Sequence, residues 1–407
     1  MIDPNRSRRR FLAVSIALLL PLTAGVLVHA ARTDEKEPGG DALYKYLAIF
    51  SETLNLVRQN YVETTDPGTL LAGAMEGSTD ALDPYSIFLP ATVTAAEEAA
   101  VVPGARHAGL LLLKDRGVAF AAAVEKGSAA ATAGVEAGDI VSRVAGRPTR
   151  QMPLWAINHE LADALTRATG ATPASVEVEI VRAGETKTIH VDAAPAAPPT
   201  ASVQEASGFP LLAVARLDAA ATAPARGLVQ GLESTGKKKL IVDLRGLAGG
   251  DPEAAAAVAA LFARGDLGAL REKGKEKPLR NLASEAAPAY TGELVVLVDP
   301  YTAGAAELLA AMLQKSANAK LVGTPSFGWA GERSRLELSN GERLLLTTSY
   351  WSATGGEPIS KSLTPDLLVD DDGRRFEDRD RPLSELILER AVKYLSGEDE
   401  IVEKKAA

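Results

Sequence analysis

The side chains able to do covalent chemistry in this chain are restricted by what is missing. There is no cysteine, and the four histidines are His29, His107, His159 and His190. No two of them have the HExxH-like spacing of a metal-binding helix. A thiol nucleophile, an iron–sulfur cluster and a Cys-ligated zinc are excluded, and a histidine-rich metal centre is not expected. No cofactor is called for. The remaining nucleophiles are the hydroxyls of Ser and Thr, Lys amines and carboxylates. A hydroxyl becomes reactive only beside a base. A lysine serves as that base only where burial lowers its pKa towards neutrality. Acyl transfer further requires backbone N–H groups aimed at the developing oxyanion.

Such groups have to be positioned by a folded scaffold, and the composition is that of one. The chain has 407 residues, 46% hydrophobic and 24% charged, and a net charge of −9. This length predicts two or three domains. The acidic balance argues against broad nucleic-acid binding. Arg6, Arg8, Arg9 and Arg10 precede an uncharged stretch from Phe11 to Val28, and Val28-His29-Ala30 offers a cleavage site. Residues 1–30 therefore read as a signal peptide or a membrane anchor. Ser7-Arg8-Arg9-Arg10-Phe11-Leu12 is also similar to a twin-arginine signal. Either form predicts export to the periplasm or cell envelope, with inner-membrane anchoring if the segment is retained. Segment 1–30 carries four Arg and one Asp, a charge of +3, so the rest of the chain carries −12.

After a polar linker, Leu47, Phe50, Leu54 and Val57 have the spacing of an amphipathic helix over about 43–61, and a second helix follows from Leu70. Residues 91–104 read as an Ala- and Glu-rich connection. Residues 105–195 form a β-rich unit. Gly127 to Val141 contains a short helix stopped by Gly134, then a Gly138-Asp139 turn into a strand. Leu154 to Thr166 reads as its second helix, and Val176–Arg182 with Lys187–Val191 as a hairpin. A Pro/Ala linker over 193–201 leads to an alternation of apolar strands, such as Leu240–Leu244 and Leu294–Val298, with Ala-rich helices. Asp251-Pro252-Glu253 supplies a helix start. The acidic run Asp370-Asp371-Asp372 is most simply a solvated turn before a terminal helix over about 383–395.

The 105–195 unit resembles the PDZ domains of bacterial proteases. That resemblance implies a peptide-binding edge, since PDZ domains take an extended peptide as an added strand. It assigns the carboxylate-binding turn to His107, Ala108, Gly109 and Leu110, with Leu111 lining the pocket and Leu154 opposite.

Over nearly all the chain beyond residue 31, the sequence resembles the carboxyl-terminal processing, or tail-specific, serine peptidases. The landmarks are Leu82-Asp83-Pro84-Tyr85-Ser86-Ile87-Phe88-Leu89, the PDZ-like unit, Asp243-Leu244-Arg245-Gly246-Leu247-Ala248-Gly249-Gly250, and the run from Val295 through Phe327-Gly328 to Thr364-Pro365-Asp366. The resemblance implies an α/β, Clp-protease/crotonase-like core with an inserted PDZ domain and an N-terminal helical region. It divides the chain into 1–30 (signal or anchor), 31–104 (helical region), 105–195 (PDZ), 196–370 (protease core) and 371–407 (C-terminal helix and tail).

The family's chemistry uses a Ser at a helix start, a Lys as its base and a Gln near the Lys. Placed residue by residue, the Ser-Ala-Ser-Glu segment is Gly304-Ala305-Ala306-Glu307 here, so Gly304 stands at the nucleophile position. The Phe-Gly-Lys-Gly segment is Phe327-Gly328-Trp329-Ala330, which puts Trp329 at the base position, and the Gln becomes Arg333. Oxyanion-type amides are retained by resemblance at Gly249, Gly250 and Ala305. Thr302 is the hydroxyl nearest to the lost nucleophile, and Ser326 lies close to Trp329 with no evident base. Lys315, Lys320 and Lys361 read as ordinary surface lysines. The expectation is a pseudopeptidase that binds protein C-termini or unfolded peptides as an adaptor or regulator, beside an active peptidase relative or as a homo-oligomer through its terminal helices. The alternative is an active serine endopeptidase with a displaced nucleophile.

Overall fold

The computed structural model describes residues 40–102, 105–166, 174–193, 200–275, 277–369 and 381–399. The expected signal or anchor segment, most of the 31–42 and 193–201 linkers and the run Asp370–Asp372 lie outside these residues. The chain divides into two compact units between Gly73 and Ala74.

The first unit holds helix α1 (Gly40–Asn60) and the start of α2 (Pro67–Asp80). The predicted apolar stripe forms a helix, but Leu47, Ile49 and Leu56 are largely exposed on it, as are Tyr44 and Tyr46. Asp66 starts α2 by accepting hydrogen bonds from the Thr69 amide and hydroxyl at 2.8 and 2.9 Å, with Pro67 at the first helical position. Among the described residues no helix is long and apolar enough to cross a membrane.

The second unit contains three sheets. A short strand β1 (Ile87–Leu89) and a helix α3 (Ala95–Val101) come first. The Ala- and Glu-rich connecting stretch over 91–104 thus holds a helix, preceded by a short strand. The α3 start is a reciprocal capping box: the Thr94 hydroxyl accepts from the Glu97 amide, and the Glu97 carboxylate accepts from the Thr94 amide at 2.9 Å.

Residues 106–192 then build an all-antiparallel sheet. Its strands are β2 (Arg106–His107), β3 (Leu110–Asp115), β4 (Val118–Val124), β5 (Ile140–Val144), β6 (Arg147–Pro148), β7 (Ser175–Arg182) and β8 (Glu185–Asp192). The order is β2-β3-β4-β5-β7-β8, with β6 beside β5. In β7 Val176, Val178 and Ile180 are buried between the more exposed Glu177 and Glu179, the period of two expected of a half-buried strand. Helix α4 (Ala129–Ala133) is capped by Ser128 and ended by Gly134 at φ 95°, a left-handed conformation that glycine adopts without a Cβ penalty. Arg182 locks the following turn by a two-pronged pair with buried Asp139, both contacts at 2.6 Å. Helix α5 (Leu154–Thr166) packs across this sheet.

The six-stranded sheet has the order β18-β15-β14-β11-β10-β9. These are β9 (Ala201–Ala206), β10 (Phe209–Val214), β11 (Lys239–Asp243), β14 (Glu293–Val298), β15 (Lys320–Gly323) and β18 (Leu367–Leu368). All neighbours are parallel except β9 and β10. The central strands are apolar without alternation because both faces are covered. Helices α6 (Thr222–Ser234), α7 (Pro252–Ala259) and α8 (Ala305–Ser316) bury Leu212, Val242 and Val296. Helix α9 (Leu383–Ser396) buries Ile241, Val295 and Leu297 on the other face through Ile387, Ala391 and Leu395.

The third sheet is antiparallel throughout. Its long strand β17 (Arg343–Ala353) pairs with β1, β12 (Gly265–Glu272) and β16 (Gly331–Glu337), and β12 continues to β13 (Arg280–Ser284). The landmark segment that includes Tyr85 is thereby tied to the strand facing Arg333.

Candidate functional site

Three loops meet at the start of α8. The loop after β11 carries Gly246 to Gly250, the loop after β14 carries Thr302 to Gly304, and the loop after β15 carries Ser326 to Ala330. The first two lie side by side: Ala248 and Ala303 form a parallel bridge, and the Gly249 amide donates to Ala303 O at 3.0 Å. The Gly304 amide donates to Trp329 O at 2.7 Å, which joins the third loop. The structure therefore brings Gly249, Gly250, Gly304, Ala305 and Trp329 together.

Gly304 has φ 65° and ψ −126°. That conformation is essentially open only to glycine. A Cβ here would sit 3.1 Å from Gly249 Cα and 3.3 Å from its nitrogen. The position expected of the nucleophile is thus both strained and crowded for any larger residue. Gly250, at φ 103°, approaches so closely that a Cβ would fall 2.8 Å from Leu217 O and 3.5 Å from Ala305 Cβ. The Gly250 and Ala305 amides have no acceptor among the described residues, as oxyanion donors require. The Gly249 amide differs from the sequence expectation, because its bond to Ala303 O takes it out of that role.

Glu307, on the first turn of α8, organises these loops. Its carboxylate is fully buried and accepts from the Gly304 amide at 3.2 Å, the Trp329 amide at 2.8 Å, the Gly328 amide at 2.6 Å and the Ser326 hydroxyl. Burial pushes its pKa up to about 7, against the pull of these four donors. Ser326, read from sequence as lacking a base, is paired with this carboxylate. Both are buried, and Ser326 Oγ also accepts from the Leu363 amide at 2.8 Å.

Thr302 is equally committed. It has no exposed surface, its hydroxyl lies 3.1 Å from Leu244 O and 3.0 Å from Asp299 Oδ1, and it accepts from the Asp299 amide. No lysine or histidine is among its partners. Lys315 and Lys361 are exposed on a separate cleft of about 470 Å³ behind α8, and Lys320 is half-buried at the start of β15.

Trp329, expected from sequence at the base position, is only 8% exposed. The ring lies parallel to that of Tyr85, centroids 3.6 Å apart, and its Nε1 donates to Thr347 Oγ1 at 3.2 Å. Phe327 meets Tyr85 edge-on at 6.1 Å. Asp83 holds Tyr85 in place by accepting from the Tyr85 and Ser86 amides, both at 2.8 Å, and from Ser86 Oγ at 2.9 Å.

Arg333 projects from β16 towards the same stack. Its Nη1 is buried with no hydrogen-bond partner. The Tyr85 hydroxyl is likewise buried and unpartnered, and burial raises its pKa above the usual phenol range. Arg106 of β2 donates to Glu125 Oε1 at 3.2 Å and to Ala248 O, which brings the antiparallel unit onto the glycine loop. Asp243, at the end of β11, is nearly fully buried. Burial pushes its carboxyl up, but the bidentate Arg245 and then Lys126 outweigh this and hold it down at about 2.

Of the residues assigned to peptide binding, Leu110, Leu111 and Leu154 belong to the same apolar cluster as Tyr85, Trp329, Ala248 and Ala303. Ala108 and Gly109, at φ 52° and 81°, form a two-residue turn between β2 and β3. His107 is half-buried rather than exposed, and its Nε2 donates to Ala100 O at 2.9 Å. Burial lowers its pKa, so the ring is neutral and brings no charge for a carboxylate. Leu110, Leu111 and Leu154 share one apolar cluster with Val101, all essentially inaccessible. Buried Asn158 of α5 donates to Val101 O at 3.2 Å, so the chain's own segment lies over this helix.

The sequence reading named Tyr85 and Glu307 only within motifs, without the roles seen here, and did not name Arg106. Glu307 was accessible in principle as an acidic residue three positions into a helix start. Arg106 offers no local signal, because its partner Ala248 is 142 residues away.

The profile of Peptidase family S41 matches residues 211–369. The carboxy-terminal processing protease CtpA of Bacillus subtilis is 27% identical over 309 residues, which cover 75% of this chain and 65% of that protein. The carboxy-terminal-processing protease of Bartonella bacilliformis is 25% identical over 337 residues, covering 80% of this chain and 76% of that protein. Among solved structures, the photosystem II D1 C-terminal processing protease superposes with a TM-score of 0.61 at 21% identity, covering 84% of this chain and 96% of that one. The mixed α/β fold is thus that of S41 protease structures. The chain spans about two thirds of the length of the Bacillus relative.

Proposed function

We propose that the chain, whose residues 211–369 match peptidase family S41 and which is similar to carboxy-terminal processing proteases, is a proteolytically silent relative that binds protein C-termini or unfolded peptides. The observation that carries this is the filling of the chemical positions. Gly304 has no hydroxyl, and the base position holds the buried Trp329, locked on Tyr85 and held through its own amide by Glu307. An indole has one donor and no basic nitrogen. The nearby hydroxyls of Thr302 and Ser326 are buried in structural hydrogen bonds. A rebuilt dyad would need a base within reach of an accessible hydroxyl.

What remains supports binding. The Gly250 and Ala305 amides face no internal acceptor, and the loops carrying them are intact. In this reading residues 105–195 are a PDZ domain that presents peptides, and the protein acts as an adaptor or regulator in the cell envelope, beside an active relative or as a homo-oligomer. The arginine-led N-terminal segment supports export.

The test is incubation of the purified protein with an unfolded substrate bearing an apolar C-terminus, alongside Thr302→Ala and Ser326→Ala. No cleavage by any of the three is expected. Cleavage that either substitution abolishes would overturn the silent reading and restore a displaced nucleophile.

A further inference from the structure

The buried guanidinium of Arg333 has no counter-ion. Among the described residues it makes no hydrogen bond or ion pair, and its Nη1 is shut off from water. An arginine cannot shed its proton to escape this cost. A buried charge without a partner is costly enough that proteins pair such groups or coordinate them. The acidic groups in reach do not serve. Asp83 acts on Arg333 at a distance, but its two oxygens are spent on the Tyr85 and Ser86 amides and the Ser86 hydroxyl. Glu307 is enclosed by its four donors. Glu332, next in sequence, pairs with Arg280.

A second donor points the same way. The Tyr85 hydroxyl is buried and unbonded, and it lies within electrostatic range of both Arg333 and Arg106. Arg106 in turn feels Arg216, whose nearest acid is Asp218 at 3.3 Å. Two arginines from separate parts of the chain, Arg333 and Arg106, thus act on one unsatisfied phenol. The adjoining wall is apolar, made by Trp329 and Phe327.

We infer that Arg333 and the Tyr85 hydroxyl form a receptor for a carboxylate, specifically the free C-terminal carboxylate of a bound peptide. The planar fork of arginine matches a carboxylate, the phenol adds a second donor, and the aromatic wall takes an apolar terminal side chain. Arg333 is only part-buried as a residue, although its Nη1 is enclosed. This inference rests on the silent-binder reading and names the group that the silent site retains. It also places carboxylate recognition beside Trp329 rather than at the His107–Leu110 turn, where the histidine is neutral and tied to Ala100.

The experiment is calorimetric titration of the full chain with a short unstructured peptide ending in two alanines, as the free acid and as the C-terminal amide. The free acid should bind at least about tenfold more tightly, equivalent to about 1.4 kcal/mol. Arg333→Gln should erase that preference, Arg333→Lys should keep part of it, and Tyr85→Phe should reduce it. Survival of the preference in a folded Arg333→Gln protein would overturn the inference, as would equal binding of acid and amide or no binding of either. Displacement by inorganic phosphate at concentrations where acetate is inert would reassign the site to a phosphoryl anion. Cleavage is scored in the same samples, so a failed silent reading is seen separately from a failed carboxylate site.

Discussion

The indole of Trp329 lies flat against the phenol ring of Tyr85, with centroids 3.6 Å apart and planes inclined by 7°. The two residues come from segments more than 200 positions apart, and their contact closes the place where a charged base would have to move.

That stack should be a large contributor to stability. Trp329→Ala removes a buried indole and leaves a cavity, at a cost of about 3–5 kcal/mol. Tyr85→Ala should cost a comparable amount. A double-mutant cycle in urea should return a coupling of about 0.5–1.5 kcal/mol between the rings.

Gly304→Ser should not simply restore a nucleophile. The left-handed backbone imposes about 1–3 kcal/mol of strain on a side chain, and the new Cβ presses on Gly249. The single variant should melt lower and remain inactive. Combining it with Trp329→Lys and Arg333→Gln supplies the missing base, and cleavage by that triple variant would show that the amides at Gly250 and Ala305 are still aligned. A silent triple variant would count against an intact oxyanion pair.

Glu307 gives the protein a pH signature. Its folded-state pKa of about 7 lies above its ordinary value of 4.5, so the native state binds the extra proton. The stability it contributes is complete below about pH 4.5 and is lost as pH rises through about 7. Asp243 works in the opposite sense, losing its contribution only as pH falls from 3.8 towards about 2. Urea unfolding between pH 5 and 8 should therefore show stability declining with pH, and Glu307→Gln should flatten that slope. The same variant should be less stable overall, because an amide nitrogen would face one pair of the four donors.

Arg182→Met should loosen the antiparallel unit. It strips the buried carboxylate of Asp139 of its two-pronged partner, an uncompensated charge worth about 3–5 kcal/mol. Hydrogen exchange should rise first around the Gly134–Ile140 turn, with the parallel sheet protected as before.

The parts legible in sequence were those with a short-range code. Gly134 marked the end of α4, Asp251-Pro252 marked the start of α7, and the uninterrupted apolar strands announced a sheet covered on both faces. The helix α3 carried a Thr94–Glu97 capping signal that its Ala and Glu content masked. The expectations at Gly304, Trp329 and Arg333 could be formed because each stands inside a local motif. The Tyr85 stack, the Arg106 contact to Ala248 and the missing counter-ion of Arg333 depend on residues distant in sequence, and no local pattern encodes them. The burial of Leu110 and Leu111 also came from elsewhere, through Val101.

The Glu307 clamp has a consequence for how this scaffold tolerates change. Three of its four donors are backbone amides, and the fourth is a hydroxyl outside the nucleophile, base and orienting positions. Side chains at Gly304 and Trp329 can therefore be exchanged without withdrawing a single strut. The geometry of the three loops is held by the main chain, independently of which side chains stand on it.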